Sequence, residues 1–116
     1  MGSRERVLRR LALNDTRMME EISTDPSAEP ADLDDRSRAL VRLGALLATD
    51  SPVAAVRQGV AEAMATGLNA DEIVTALLLL LPTIGMPRAA AAAPKLGLAI
   101  GYDVDAALEA SGTANG

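Results

Sequence analysis

The stretch that decides the fold is SPVAAVRQGVAEAMATGLNADEI, residues 51–73. Ser51 can cap a helix, and Pro52 suits the first helical position, where its missing N–H costs nothing. Val53, Val56, Val60 and Met64 then form one apolar stripe at helical spacing. Gly67 is expected to end this helix in a left-handed conformation, with Leu68 folding back on it. Asn69-Ala70-Asp71-Glu72 reads as a capping box, Asn69 at the cap and Glu72 three residues on. Leu68 and Ile73 are spaced as a hydrophobic staple. Two helices thus join in a tight hairpin centred on Gly67–Asn69.

The flanking segments extend the helical pattern. Upstream, RSRALVRLGALLAT (36–49) places Leu40, Leu43, Leu46 and Leu47 on one face, with Asp32 or Asp34 as its cap. Downstream, IVTALLLLLPTI (73–84) holds only Thr75 and Thr83 as polar residues. Its twelve residues fall short of the roughly 20 that a membrane span needs. Asp71-Glu72 and Pro87-Arg88 flank it closely. The run predicts a helix over 70–81, buried on all sides by its own subunit or by neighbouring ones. Pro82 and Gly85-Met86-Pro87 are expected to break it. A further helix follows over 87–101, with a kink at Pro94, and its run Ala89–Ala93 suits close helix packing. Asp103 is placed to cap a last short helix, VDAALEA. Residues 111–116 read as a disordered tail.

The N-terminal segment 1–32 reads as an arm. Val7, Leu8, Leu11, Met18, Met19 and Ile22 lie on one helical stripe, interrupted at Asn14-Asp15. Its first half is basic and its second acidic. The basic start opposes the helix macrodipole, so the first turn is expected to fray. A membrane surface is one use for such a basic amphipathic segment; packing on its own protein or a sister subunit is the preferred one. Residues 24–35 carry two prolines and five acids and read as a linker or extended wrap.

Composition agrees with an all-α fold. Of 116 residues, 23 are Ala and 17 Leu, with no Phe, no Trp and one Tyr, whereas strands favour aromatic and β-branched residues. There is no Cys and no His. Disulfides, thiol nucleophiles, Cys-ligated metals and imidazole acid–base chemistry are therefore excluded for this chain. A net charge of −5 argues against nucleic acid as a main partner. No apolar run follows the first residues, so a cytoplasmic setting is the expectation. No metal and no cofactor are expected.

From Leu33 to about Tyr102 the pattern resembles the carboxymuconolactone decarboxylase family, which includes the alkylhydroperoxidase D-like proteins. The pieces that carry the resemblance are LDDRSRALVRLGALLAT, VAEAMATGLNADEI and TIGMPRAAAAA, in that order. The resemblance implies a compact bundle of about five to six helices over 33–110, assembled as a trimer or hexamer, with a dimer as second choice. It also implies site positions. The hydroperoxidase branch's C-x-x-C-x-x-x-H falls on Pro52, Ala55 and Gly59, and its proton-relay glutamate on Leu40. The decarboxylase branch's histidine also falls on Gly59, a further glutamate on Thr75, and the turn's aromatic on Thr83. Each expected reactive group is here apolar, small or a plain hydroxyl.

Five residues stand as ligand-binding candidates: Arg42, Gly59, Thr75, Thr83 and Tyr102. Arg42 either clamps a carboxylate between helices or forms a surface or interface ion pair. Arg57 and Glu62 read as surface residues. Thr75 and Thr83 either bond the carbonyl three or four residues back or offer a pocket hydroxyl. Tyr102 is a packing residue with a wet tip or a hydroxyl acid. Asp71-Glu72 is explained by capping. Two functions remain open. One is a divergent family member binding a small, largely apolar or carboxylate-bearing ligand, with lyase, decarboxylase or isomerase activity but no thiol chemistry. The other is a non-catalytic oligomeric scaffold or accessory subunit. A cavity of about 300 Å³ or more favours the first; a packed core between Leu40, Gly59 and Thr75 favours the second.

Overall fold

The computed structural model describes residues 2–24 and 32–115, with side chains described as far as Ser111. All described elements are helices: α1 (Ser3–Ala12), α2 (Arg17–Thr24), α3 (Asp35–Ala48), α4 (Val53–Ala65), α5 (Ala70–Ile84), α6 (Met86–Ile100) and α7 (Val104–Asn115). Two of these helices lie in the arm, and five, α3–α7, follow residue 33. The chain forms two units, residues 1–33 and 34–116. The linker reading at 25–31 lies outside the described residues.

In the first unit the break falls where the stripe is interrupted. Asn14 takes a left-handed φ of 57°, which Asn tolerates better than most residues. Asp15 holds the corner. One carboxylate oxygen accepts from Arg10 Nε at 2.9 Å and the other from Arg17 Nε at 2.8 Å. Arg10 also donates to Glu21 Oε1 at 3.0 Å. The guanidinium groups of Arg17 and then Arg10 hold the Asp15 carboxyl well below the usual carboxylate range. No residue of α1 or α2 is buried.

In the second unit the hairpin forms as its residues dictate. Gly67 has φ +100°, its N–H donates to Met64 O, and the Leu68 N–H donates to Ala63 O, the bond pair of a Schellman cap. Asn69 and Glu72 cap reciprocally: Glu72 N–H to Asn69 Oδ1 at 2.8 Å, Asn69 N–H to Glu72 Oε1 at 3.1 Å. Leu68 and Ile73 are both buried. Asn69→Ala should therefore cost about 1 kcal/mol, read as a lower urea midpoint with an unchanged slope.

Other boundaries follow expectation at the caps of α3 and α7 and differ elsewhere. Asp34, not Asp32, caps α3, accepting from Ser37 N–H at 2.7 Å. Pro52 is itself the cap residue of α4, and the helix starts at Val53. The Ser51 hydroxyl lies 3.2 Å from that of Thr49. α5 runs through Pro82 to Ile84, three residues past the predicted end. A proline there removes a single bond, to the Leu78 carbonyl, near a terminus where bonds are already running out. Gly85, with φ +84°, is what stops the helix. α6 likewise stays helical through Pro94. Asp103 caps α7, accepting from Ala106 N–H at 3.0 Å, and α7 continues into the stretch expected as a tail.

The core is built by α3, α4, α5 and α6. Leu43, Leu47, Val56, Val60, Ala63, Ile73 and Leu96 are at most 2% exposed. α4 lies central, packed against both α3 and α6. The turn between α3 and α4 is tied down from α6: Lys95 Nζ donates to Asp50 Oδ1 at 2.6 Å and to Ser51 O at 2.9 Å. That bond holds the Asp50 carboxyl below its usual range and accompanies a left-handed φ of 54° at Asp50. Within one chain only Ile73 of α5 is buried, so its own subunit does not cover this helix on all sides; the rest of the expected cover is left to neighbouring subunits. No helix among the described residues is long and apolar enough to cross a membrane.

Candidate functional site

The crossing of α3 and α4 opens into a groove of about 380 Å³, lined by Arg42, Ala45, Leu46 and Thr49 of α3 and its cap and by Ala55, Gln58, Gly59 and Glu62 of α4. Gly59 makes this geometry. A Cβ there would lie 2.7 Å from Leu46 Cδ1 and 3.5 Å from Leu43 Cδ1. The bare backbone thus lets α4 approach α3 and forms part of the groove floor. Ala45, Leu46 and Ala55 make the rest apolar. The polar groups sit at the rim. Arg42 comes from one helix, Glu62 from the other, and Gln58 Nε2 donates to Glu62 Oε1 across a long 3.5 Å.

A planar guanidinium beside an apolar floor suits a small ligand with a carboxylate at one end, because Arg can hold both carboxylate oxygens at once. Glu62 on the opposite rim repels a second anionic group. Among the described residues no cluster of acids is arranged to hold a metal ion.

A second groove of about 350 Å³ lies between the starts of α3 and α5. It is lined by Arg36, Leu40, Leu68, Asn69, Asp71, Glu72, Thr75, Ala76 and Leu79. Arg36 is ion-paired with Glu72 at its edge. The Thr75 hydroxyl donates to Asp71 O at 2.8 Å, so it back-bonds its own helix. Of the five candidates, then, the fold brings Arg42 and Gly59 into one groove and places Thr75 in another. Thr83, exposed on the last turn of α5, lines neither groove, and neither does Tyr102, which is 58% exposed beyond the end of α6. Glu62, which the sequence reading left on the surface, and Gln58, which it did not single out, are groove residues. Their i, i+4 spacing with Ala55 and Gly59 alongside was the available signal.

A model of the carboxymuconolactone decarboxylase family matches residues 16–96. The chain belongs to that family. The match begins within the arm, ahead of the Leu33 start of the resemblance, and takes in α2. No curated protein and no solved structure matches the chain. In the family frame, the positions the resemblance assigns to the second thiol and the histidine are Ala55 and Gly59. Both line the α3–α4 groove. Leu40 and Thr75, assigned to two family glutamates, line the other groove.

Proposed function

We propose that this chain is a divergent member of the carboxymuconolactone decarboxylase family that binds a small, largely apolar carboxylate in the α3–α4 groove, with Arg42 as the anchor. The observation that carries this reading is the meeting of Arg42 with the bare, apolar floor at Gly59 in a groove of about 380 Å³, above the roughly 300 Å³ at which ligand sites begin. A lyase, decarboxylase or isomerase reaction that needs little acid–base help is compatible with this lining. Peroxide reduction needs a thiolate to attack the peroxide oxygen and a second thiol to resolve the product, and the chain has no Cys. The unit at work in this reading is a cytoplasmic homo-oligomer.

Calorimetric titration with phenylacetate and with its uncharged amide tests the anchor. Wild-type protein should bind the acid, and Arg42→Gln should weaken it about tenfold or more, the equivalent of one charge-assisted hydrogen bond. Equal binding of acid and amide, or an unaffected Arg42→Gln variant, would remove the carboxylate from the proposal. The alternative, a non-catalytic oligomeric scaffold, is favoured by one observation: the outward face of α5 is apolar and uncovered in the single chain.

A further inference from the structure

We propose that two copies of the chain pair through the outward face of α5, antiparallel about a two-fold axis passing near Leu79. This rests on the homo-oligomeric reading above and is more specific than it. α5 turns Ile73, Leu77 and Leu80 toward its own core. Its other side carries Val74, Leu78 and Leu79, 38%, 61% and 76% exposed, with Pro82 exposed on the last turn, and Met86, 65% exposed, opens α6. The Thr75 hydroxyl on this face is already bonded to Asp71 O. Some three turns of helix therefore show no charge to solvent, a contiguous apolar surface of the kind that marks an association site.

The charges at its two ends choose the occupant. Asp71 stands at the N-terminal end and Arg88 just beyond the C-terminal end. Both are exposed, and neither belongs to an ion pair among the described residues. Glu72 is engaged by Arg36 and by the cap. Antiparallel pairing centred on Leu79 sets Leu79 against its own copy and Thr75 against Thr83, and brings Asp71 to the C-terminal end of the second copy's α5, the end that Arg88 of α6 follows. Parallel pairing would set like charges together. An anionic lipid surface fits poorly, since the face opens on two acids and meets no cation before Arg88. A 15-residue helix, about 22 Å long, gives each copy the same self-complementary patch, as a two-fold interface requires. The second groove, which shares Asp71, Thr75 and Leu79 with this face, borders the interface directly.

The absence of cysteine makes the test clean, because an introduced thiol is the only one present. Disulfides form only where Cα atoms come within about 7 Å. Under mild oxidation Leu79→Cys should link to its own copy. Thr75→Cys and Thr83→Cys should each stay unlinked alone and link when mixed in equal amounts, and Ala54→Cys on α4 should never link. Asp71→Arg should loosen the dimer severalfold, and adding Arg88→Asp should restore it. Self-linking of Thr75→Cys without linking in the mixture, or linking at Ala54, overturns the pairing, as does failure of the double charge swap to restore affinity. Light scattering across a dilution series separates the two levels. A stable monomer of 12.0 kDa overturns both the homo-oligomer and the pairing. A stable trimer, which has no two-fold axis, or an oligomer that does not link at Leu79, overturns the pairing alone.

Discussion

Leu43→Ala should lower the free energy of unfolding by about 3 kcal/mol, within the roughly 2–5 kcal/mol spread for deleting a buried leucine. Leu43 is 0% exposed and stands where α3 meets α4, with its Cδ1 beside the backbone of Gly59. Truncation removes three carbons from a site that cannot collapse freely, because α4 is already as close as its glycine allows. For a domain of typical stability, about 5–15 kcal/mol, that is a large fraction of the whole. Thermal unfolding followed by circular dichroism should show a midpoint lower by more than about 10 °C. A loss under about 1 kcal/mol would mean that Leu43 is not enclosed as the fold requires.

The second large effect is expected at Gly97. A Cβ there would sit 2.5 Å from the Tyr102 carbonyl oxygen and 2.8 Å from Val104 Cγ2. The nearer atom is backbone and cannot swing aside. The Tyr102 N–H donates to Gly97 O at 2.7 Å, and the Gly101 N–H donates to Leu98 O at 3.3 Å. These bonds fold the chain back over Gly97 and seat the start of α7. One methyl group must therefore displace the 101–104 connection. Overpacking of this kind costs about 1–3 kcal/mol, against a gain of about 1 kcal/mol from the better helix propensity of alanine. Gly97→Ala should give a net loss of up to about 2 kcal/mol. Gly44→Ala is the control. A Cβ at Gly44 finds Leu80 Cδ2 at 3.7 Å, an ordinary contact, so that variant should be neutral or more stable. If both glycines responded alike, the close approach at Gly97 would be wrong.

These two sites show where the sequence was legible and where it was not. The hairpin at Gly67–Asn69 could be read residue by residue, because capping is local: one left-handed glycine, one reciprocal Asn–Glu pair, one staple. The break at Asn14-Asp15 was visible for the same reason. The end of α5 was misjudged because Pro82 looks like a stop, yet near a terminus it costs one bond. How the cover of α5 divides between its own subunit and a neighbouring one was not legible, because an unbroken leucine run looks the same whether its second face meets its own core or solvent. Gly97 gave no signal, since what crowds it arrives from five and seven residues later, after a reversal at Gly101. At the site, Arg42 and Gly59 were legible as candidates, but their meeting depends on how α3 crosses α4. Gln58 and Glu62 were missed on that account. Thr75, Thr83 and Tyr102 were set apart from that groove by lying on α5 and beyond α6.

The central claim is that the groove between α3 and α4 receives a small carboxylate. The most direct test is a map of amide chemical-shift changes during titration of the isotope-labelled protein with phenylacetate, repeated on Ala55→Leu. Ala55 lines the groove and is half-buried, so a leucine there fills the space while leaving Arg42 in place. The predicted result is a set of saturating shifts confined to residues 42–49 and 55–62 in the wild type and lost in Ala55→Leu. Shifts clustered around Leu40, Thr75 and Leu79, or shifts that persist unchanged in Ala55→Leu, would contradict it.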